Sequence, residues 1–240
     1  MKDLSQLTSW HSDWNDLRVV VLGLGVTGFS AADTLAELGA KVLVVAEKAD
    51  EELLDILDVI GVAHLTGSEA ANLPSAVIEF APELIISSPG VRPDHPMLAW
   101  AKKSNVSVWV DIELAWRLRD KTDKIADWLA VTGTNGKTTT VQMLEAMVVA
   151  GGKRALACGN IGTPILDAIR DPEGFDALVV ELSSFQLHYL GKIEPYSSAV
   201  LNLADDHIDW HGSFEAYSDT KAKIYENTKV ACVYNLNDSA

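Results

Sequence analysis

The chain has 240 residues, with 34 acidic side chains against 19 basic ones and a net charge of −15. Hydrophobic residues make up 48% and charged residues 22%, a globular balance that excludes a disordered or fibrous chain. So acidic a chain has no electrostatic footprint for coating nucleic acid or an anionic membrane, and phosphate binding requires a locally built pocket. The length fits one large domain or two medium ones. Two distant cysteines, Cys158 and Cys232, are too few for a disulfide framework and read as reduced, packed thiols. The polar start MKDLSQLTSWHSDWND has no apolar core of a signal peptide. No apolar run reaches the roughly 20 residues of a membrane span. The expectation is a soluble, cytoplasmic, monomeric protein without nucleic-acid or membrane partners.

RVVVLGLG, residues 18 to 25, is a short apolar run ending in glycine and predicts a buried parallel strand. A helix is expected from Gly28 to Leu38, stopped by Gly39. KVLVVAE (41 to 47) predicts a second strand, followed by a helix around 50 to 60 and the strand ELIISS (83 to 88). A helix around 95 to 103 and the strand VSVWVD (106 to 111) complete the segment. Alternating strands and helices imply a parallel sheet with helices on its faces.

The pattern then restarts. RLRDKTDKIADW (117 to 128) reads as a charged linker and lead-in, and WLAVTG as a strand. A helix is expected from Lys137 to Ala150, with Val141, Leu144, Met147 and Val148 on one stripe. DALVVELS (176 to 183), SSAVLNLA (197 to 204) and KVACVYN predict further strands. The expected fold is α/β: a Rossmann-like parallel-sheet domain over 1–117, then an incomplete P-loop ATPase-type α/β domain over 118–240.

Two glycine loops carry the chemistry. GLGVTG, with Gly23, Gly25 and Gly28, fits G-x-G-x-x-G after a strand and before a helix. Glycines there allow a tight turn and close approach of a pyrophosphate to the helix N-terminus. Glu47, closing the second strand, is placed to accept a ribose hydroxyl. The loop alone leaves NAD, UDP and mere tight packing open.

The second loop, TGTNGKTTT (132 to 140), carries the G-K-[ST] core of a P-loop in Gly136, Lys137 and Thr138. Backbone N–H groups wrap phosphates, the lysine reaches the terminal ones, and the hydroxyl binds Mg²⁺. The full G-x-x-x-x-G-K-[ST] spacing asks for glycine at 131, where this chain has Val131, so Gly133 is expected to serve the turn. Glu181 ends the strand ALVVE, as a metal ligand or a simple cap. DDHIDWH (205 to 211) follows another strand end, and its His207 reads as a metal or phosphate contact or as plain loop.

Together GTNGKTTT, the glutamate-ended strand followed by two serines, the D-H-x-D segment and the lysine in YSDTKAKIYEN resemble the Mur ligase family, the ATP-dependent enzymes that build the cell-wall peptide stem. GLGVTG, SSPGV (87 to 91) and ELSSFQL (181 to 187) resemble the D-glutamate-adding branch. The diaminopimelate- or lysine-adding branch typically has His after the two serines, and the alanine-adding branch has His where this chain has Asn135.

The resemblance implies transfer of phosphate from ATP to the carboxylate of UDP-N-acetylmuramoyl-L-alanine, then attack by the amine of D-glutamate. It implies an ATP site at Gly133, Thr134, Asn135, Gly136, Lys137, Thr138 and Thr139, with one Mg²⁺ on Thr138 and Glu181. His207 and Lys221 would serve a second ion, Lys221 as a carbamate; without the resemblance Lys221 reads as a solvated helix lysine. Lys137, Glu181, His207 and Lys221 would form the catalytic set. Asn160 and Ser183 would contact the muramoyl substrate, and Gly25, Val26, Thr27, Gly28, Glu47, Ser88, Pro89 and Gly90 the uridine diphosphate. Family members continue into a C-terminal domain, so the chain reads as the N-terminal portion of such an enzyme, inactive alone. A nicotinamide-dependent dehydrogenase accounts for the first loop and leaves the second without purpose. A non-catalytic UDP-binding module is the other alternative.

Overall fold

The computed structural model describes residues 2–238, and the chain divides into two compact units, Met1–Leu118 and Arg119–Ala240. In the first, β1 (Arg18–Leu22), α1 (Val26–Glu37), β2 (Lys41–Ala46), α2 (Glu51–Val59) and β3 (Ala63–Thr66) follow in order. Then come α3 (Ser75–Phe80), β4 (Leu84–Ser87), α4 (Pro96–Lys103), β5 (Ser107–Trp109) and α5 (Asp111–Leu118). The five strands form one all-parallel sheet in the order β3-β2-β1-β4-β5. The order reverses direction between β1 and β4, where an open α/β sheet leaves a crevice for ligands.

The second unit holds β6 (Asp127–Thr132), α6 (Lys137–Ala150), β7 (Ala155–Gly159), α7 (Ile165–Ile169) and β8 (Ala177–Glu181). It continues with α8 (Ser184–Tyr189), β9 (Ser197–Val200), α9 (Ile208–His211), α10 (Phe214–Ala222) and β10 (Ala231–Tyr234). Its sheet is also all parallel, in the order β10-β9-β6-β8-β7. Parallel strands need a crossover between them, so the intervening helices cover the sheet faces. That is why β1, β2 and β8 are apolar almost throughout rather than alternating: Val19, Val20, Val21, Val44, Val45, Val179 and Val180 are all fully buried.

The structure corrects several sequence expectations. β3 and β7 were not expected: AHLT and ALACG lack a run of large apolar side chains, and both strands sit at sheet edges. The strand expected at 106 to 111 is only Ser107–Trp109, and Asp111 opens α5. The strand expected at 197 to 204 ends at Val200. On α6 Val141 is buried, but Met147 is 66% exposed, so the stripe is narrower than its spacing implies. Cys158 is buried while Cys232, on β10, is an exposed free thiol rather than a packed one. No helix among the described residues is long and apolar enough to cross a membrane.

Candidate nucleotide sites

In the first unit the glycine loop joins β1 to α1 at the β1/β4 crevice. Gly23 has φ +99°, and a Cβ there would lie 2.7 Å from Ser88 Oγ. A Cβ on Gly28 would collide with the Gly23 carbonyl. Ser88 ties the loop to β4: its N–H donates to Leu22 O at 2.9 Å and its hydroxyl to Gly23 O at 3.3 Å. Those two glycines are thus demanded by packing. Gly25 is not, since a Cβ there meets nothing within 4 Å. Beside the loop lies a cavity of about 440 Å³ walled by Gly23, Glu47, Gly90, Arg92 and His95, among others. Of the residues assigned to the diphosphate from sequence, Glu47 and Gly90 line this cavity. Gly25, Val26, Thr27, Gly28, Ser88 and Pro89 lie outside its lining. Val26 is 69% exposed in the first turn of α1.

In the second unit the site gathers at the C-terminal ends of β6, β8 and β9. Val131 is a core residue of β6, paired with Glu181 on β8 and Ala199 on β9, and 1% exposed. The loop therefore begins only after Thr132, which explains valine at the position where the longer spacing asks for glycine. Gly136 takes φ +81° as the N-cap of α6, a conformation that favours glycine. Lys137, Thr138 and Thr139 form the first turn of this 14-residue helix. Its free N–H groups and dipole suit an anion.

The loop is locked by residues the sequence reading did not single out. Asn202, just beyond β9, clamps Asn135: its Oδ1 accepts from Asn135 N–H at 2.9 Å and its Nδ2 donates to Asn135 O at 3.0 Å. Thr134 N–H donates to Asn202 O at 3.0 Å, and the Thr134 hydroxyl meets Tyr217 OH at 2.9 Å. The one signal for Asn202 is a polar residue directly after an apolar strand.

Glu181 is 1% exposed. Its Oε2 accepts from the Thr138 hydroxyl and its Oε1 from Asn160 Nδ2, both at 2.9 Å. The fold thus joins three residues distant in sequence. Lys137 Nζ donates to Gly133 O and Thr134 O, each at 2.9 Å. Lys221 donates to the same Gly133 O at 3.0 Å and to Thr132 Oγ1 at 3.3 Å. It is 2% exposed, not the solvated lysine its helix position implies. Burial first, then the Lys137 ammonium, pushes its pKa down to about 8.

Ser183 serves as a cap: its hydroxyl accepts from Gln186 N–H at 3.2 Å, with Gln186 bonding back in a capping box that starts α8. His207 is exposed, in left-handed conformation at φ 51°, with Nε2 3.4 Å from Asp206 Oδ2 and its ring against Phe185. No contact joins it to Glu181 or Lys221 among the described residues. Nor is there a group of three or more His, Cys, Asp or Glu side chains placed to hold a metal. His211 instead meets Ser184 Oγ through Nε2 at 3.0 Å, and burial pushes its pKa down to about 4.

One unit with a glycine loop at its sheet crevice and another with a G-K-T loop at a helix N-terminus define an α/β protein built of a Rossmann-like and a P-loop-like unit. Residues 17–110 match the family model for the Mur ligase MurD-like N-terminal domain, and residues 131–240 that for the Mur ligase middle domain. The UDP-N-acetylmuramoylalanine–D-glutamate ligase of Leifsonia xyli subsp. xyli (strain CTCB07) is 60% identical over 248 residues, covering 99% of this chain and 48% of that protein. The protein of that name from Tropheryma whipplei (strain Twist) is 45% identical over 243 residues, covering 99% and 49%. Among solved structures, the UDP-N-acetylmuramate:L-alanyl-gamma-D-glutamyl-meso-diaminopimelate ligase from Neisseria meningitides aligns with a TM-score of 0.57 at 17% identity, over 92% of this chain and 72% of that one. The UDP-N-acetylmuramate-alanine ligase MurC of Thermotoga maritima aligns with a TM-score of 0.52 at 22% identity, over 92% and 49%. These two likenesses speak to fold alone. The chain belongs to the Mur ligase family. It spans about half the length of the curated relatives it matches.

Proposed function

We propose that the chain is the nucleotide-binding portion of a UDP-N-acetylmuramoylalanine–D-glutamate ligase, which uses ATP to add D-glutamate to UDP-N-acetylmuramoyl-L-alanine in peptidoglycan precursor synthesis. The observation that carries the reading is the buried Glu181 carboxylate held between Thr138 and Asn160 at the N-terminus of α6. The 60% identity to a relative of that name supports the choice of substrate.

In this reading Met1–Leu118 is the UDP-substrate domain. Gly25, Val26, Thr27 and Gly28 bring the N-terminus of α1 to the diphosphate, Glu47 accepts a ribose hydroxyl, and Ser88, Pro89 and Gly90 close over it. The open space at Gly25 supports this, because only a ligand would require glycine there. Arg119–Ala240 is the ATP domain. Gly133 to Thr139 wrap the phosphates, and Lys137 exchanges its loop carbonyls for phosphate oxygens. The substrate carboxylate attacks the γ-phosphorus, forming an acyl phosphate and releasing ADP. The amine of D-glutamate then attacks the acyl carbon, and phosphate leaves with the C–O bond. Such transfers depend on positioning and charge neutralisation.

The Thr138 hydroxyl and Glu181 carboxylate are hard oxygen donors that fit Mg²⁺, which supplies that neutralisation when bound. His207 and Lys221 are proposed for a second ion. Lys221 fits carbamylation: its depressed pKa raises the share of neutral amine, which CO₂ capture requires. The attack forms the N–C bond and releases one proton. Asn160 and Ser183 take the muramoyl part of the substrate. The protein is proposed to act as a cytoplasmic monomer whose product feeds wall synthesis, and through it cell shape and division.

The test is calorimetry with UDP, NADH and Mg-ATP, then product analysis with both substrates. The chain should bind UDP more tightly than NADH, and should bind Mg-ATP. Relatives twice as long should form the D-glutamyl amide, and the 240-residue chain alone should not. Positioning of acyl phosphate and amine can lower a barrier by roughly 7–11 kcal/mol, and half of the relatives' length is outside this chain. Tighter NADH binding, or amide formation at a rate near that of the long relatives, would overturn the reading.

A further inference from the structure

The cavity of the first unit has a second polar wall opposite its acidic one. His95 lines it together with Glu47. His95 is the N-cap of α4, and its Nδ1 accepts from Met97 N–H at 3.2 Å. Its backbone is pinned as well: its N–H donates to Arg92 O, and its carbonyl accepts from the N–H groups of Leu98 and Ala99. Pro96 at the first helical position removes a rotatable φ beside it. An Nδ1 that accepts must carry no proton, so the neutral ring holds its proton on Nε2. The Met97 bond is the ring's one hydrogen bond among the described residues, which leaves Nε2–H without a partner. Burial holds the ring's pKa below the ordinary histidine value, against the opposing pull of Asp94 and Glu47. The neutral, donating form therefore prevails at neutral pH.

We propose that His95 is a nucleoside-recognising residue, whose Nε2–H donates to a carbonyl oxygen of the pyrimidine ring of a uridine nucleotide lodged in this cavity. A uridine offers hydroxyl donors on its ribose and carbonyl acceptors on its base. Glu47 can only accept and this tautomer of His95 can only donate, so the two walls match the two kinds of group. The phosphates belong on the other side of the loop, at the N-terminus of α1. The proposal rests on the reading of this unit as a UDP site and adds the group that reads the nucleoside.

The decisive variant is His95→Asn. Asparagine is a good N-cap whose side-chain oxygen accepts the Met97 N–H, so α4 keeps its start while the cavity loses the Nε2–H donor. Calorimetry compares the parent and variant chains with UDP and with inorganic pyrophosphate, and thermal melting checks the fold. UDP affinity should fall about fivefold to tenfold, the loss of one hydrogen bond, while pyrophosphate affinity and melting stay put. Unchanged UDP affinity in the variant, with UDP still bound by the parent chain, would overturn the role of His95 and leave the UDP site standing. An equal loss for UDP and pyrophosphate would also overturn it, placing His95 on the phosphates. A parent chain that fails to bind UDP at all would remove the underlying site and this inference with it.

Discussion

Lys221→Met should change the stability of the Arg119–Ala240 unit with a sign that reverses with pH. Lys221 is 2% exposed, and its pKa is pushed from 10.5 to about 8, chiefly by burial. The unfolded chain therefore binds this proton more tightly than the folded one. The charged form costs the fold its full penalty below pH 8, and the penalty fades as pH rises through 10.5. At about 1.4 kcal/mol per pKa unit it amounts to about 3 kcal/mol at pH 7 and about 1 kcal/mol at pH 10. Methionine removes that penalty. It also removes the hydrogen bonds to Gly133 O and Thr132 Oγ1, together worth about 2 kcal/mol. The variant should thus be about 1 kcal/mol more stable than the parent at pH 7 and about 1 kcal/mol less stable at pH 10. Urea unfolding in bicarbonate-free buffer from pH 7 to 10, followed by tryptophan fluorescence, reads the difference. With two compact units, the transition that moves identifies the second one. A variant less stable by the same margin at both ends of the range would show that Lys221 is not held against its charge.

Lys137→Ala should abolish ATP binding by the second unit and leave UDP binding by the first nearly intact, both read by calorimetry; a comparable loss of the two would contradict separate sites. Gly28→Ala should lower stability by about 1–3 kcal/mol, because its Cβ meets the Gly23 carbonyl. Gly25→Ala should leave melting unchanged and weaken UDP binding, since only a ligand competes for that space. Acidification should weaken the second unit as pH falls from 6.5 toward 4: unfolded His211 takes up a proton near 6.5, while the folded ring resists until about 4. His211→Asn should flatten that acid limb in pH-dependent melting, and an unchanged slope would assign it to other groups.

The strands that were legible in the sequence are those covered on both faces. RVVVL, KVLVVA and ALVVE read as apolar runs because helices lie on either side of the sheet, and the two-fold alternation of a half-exposed strand is absent. β3 and β7 were not legible, for different reasons. AHLT has no fully buried side chain, and ALACG fills its edge position with alanine, cysteine and glycine, so neither presents the large apolar side chains that mark a strand. The glycine loops were legible because each sits between a strand and a helix. Their inner logic was not: Gly23 and Gly28 answer to Ser88 and to each other, and only the folded crevice separates them from Gly25.

The second site shows where reading along the chain stops. A carboxylate at the end of β8 looks the same in sequence whether it caps a helix, faces solvent or meets a hydroxyl 43 residues away, and the choice is made by β8 lying beside β6 in the sheet. Lys221 is the sharper case. Nothing in YSDTKAKIYEN distinguishes a buried lysine from a solvated one, because what buries it is Thr132 and Gly133 at the far end of β6. Once there, it and Lys137 converge on one carbonyl oxygen. Two like charges drawn to a single acceptor repel, and the repulsion is relieved when either lysine loses its proton or finds an anion. An entering phosphate gives Lys137 such an anion, so the geometry that depresses the Lys221 pKa also leaves Lys137 ready to give up its place in the loop.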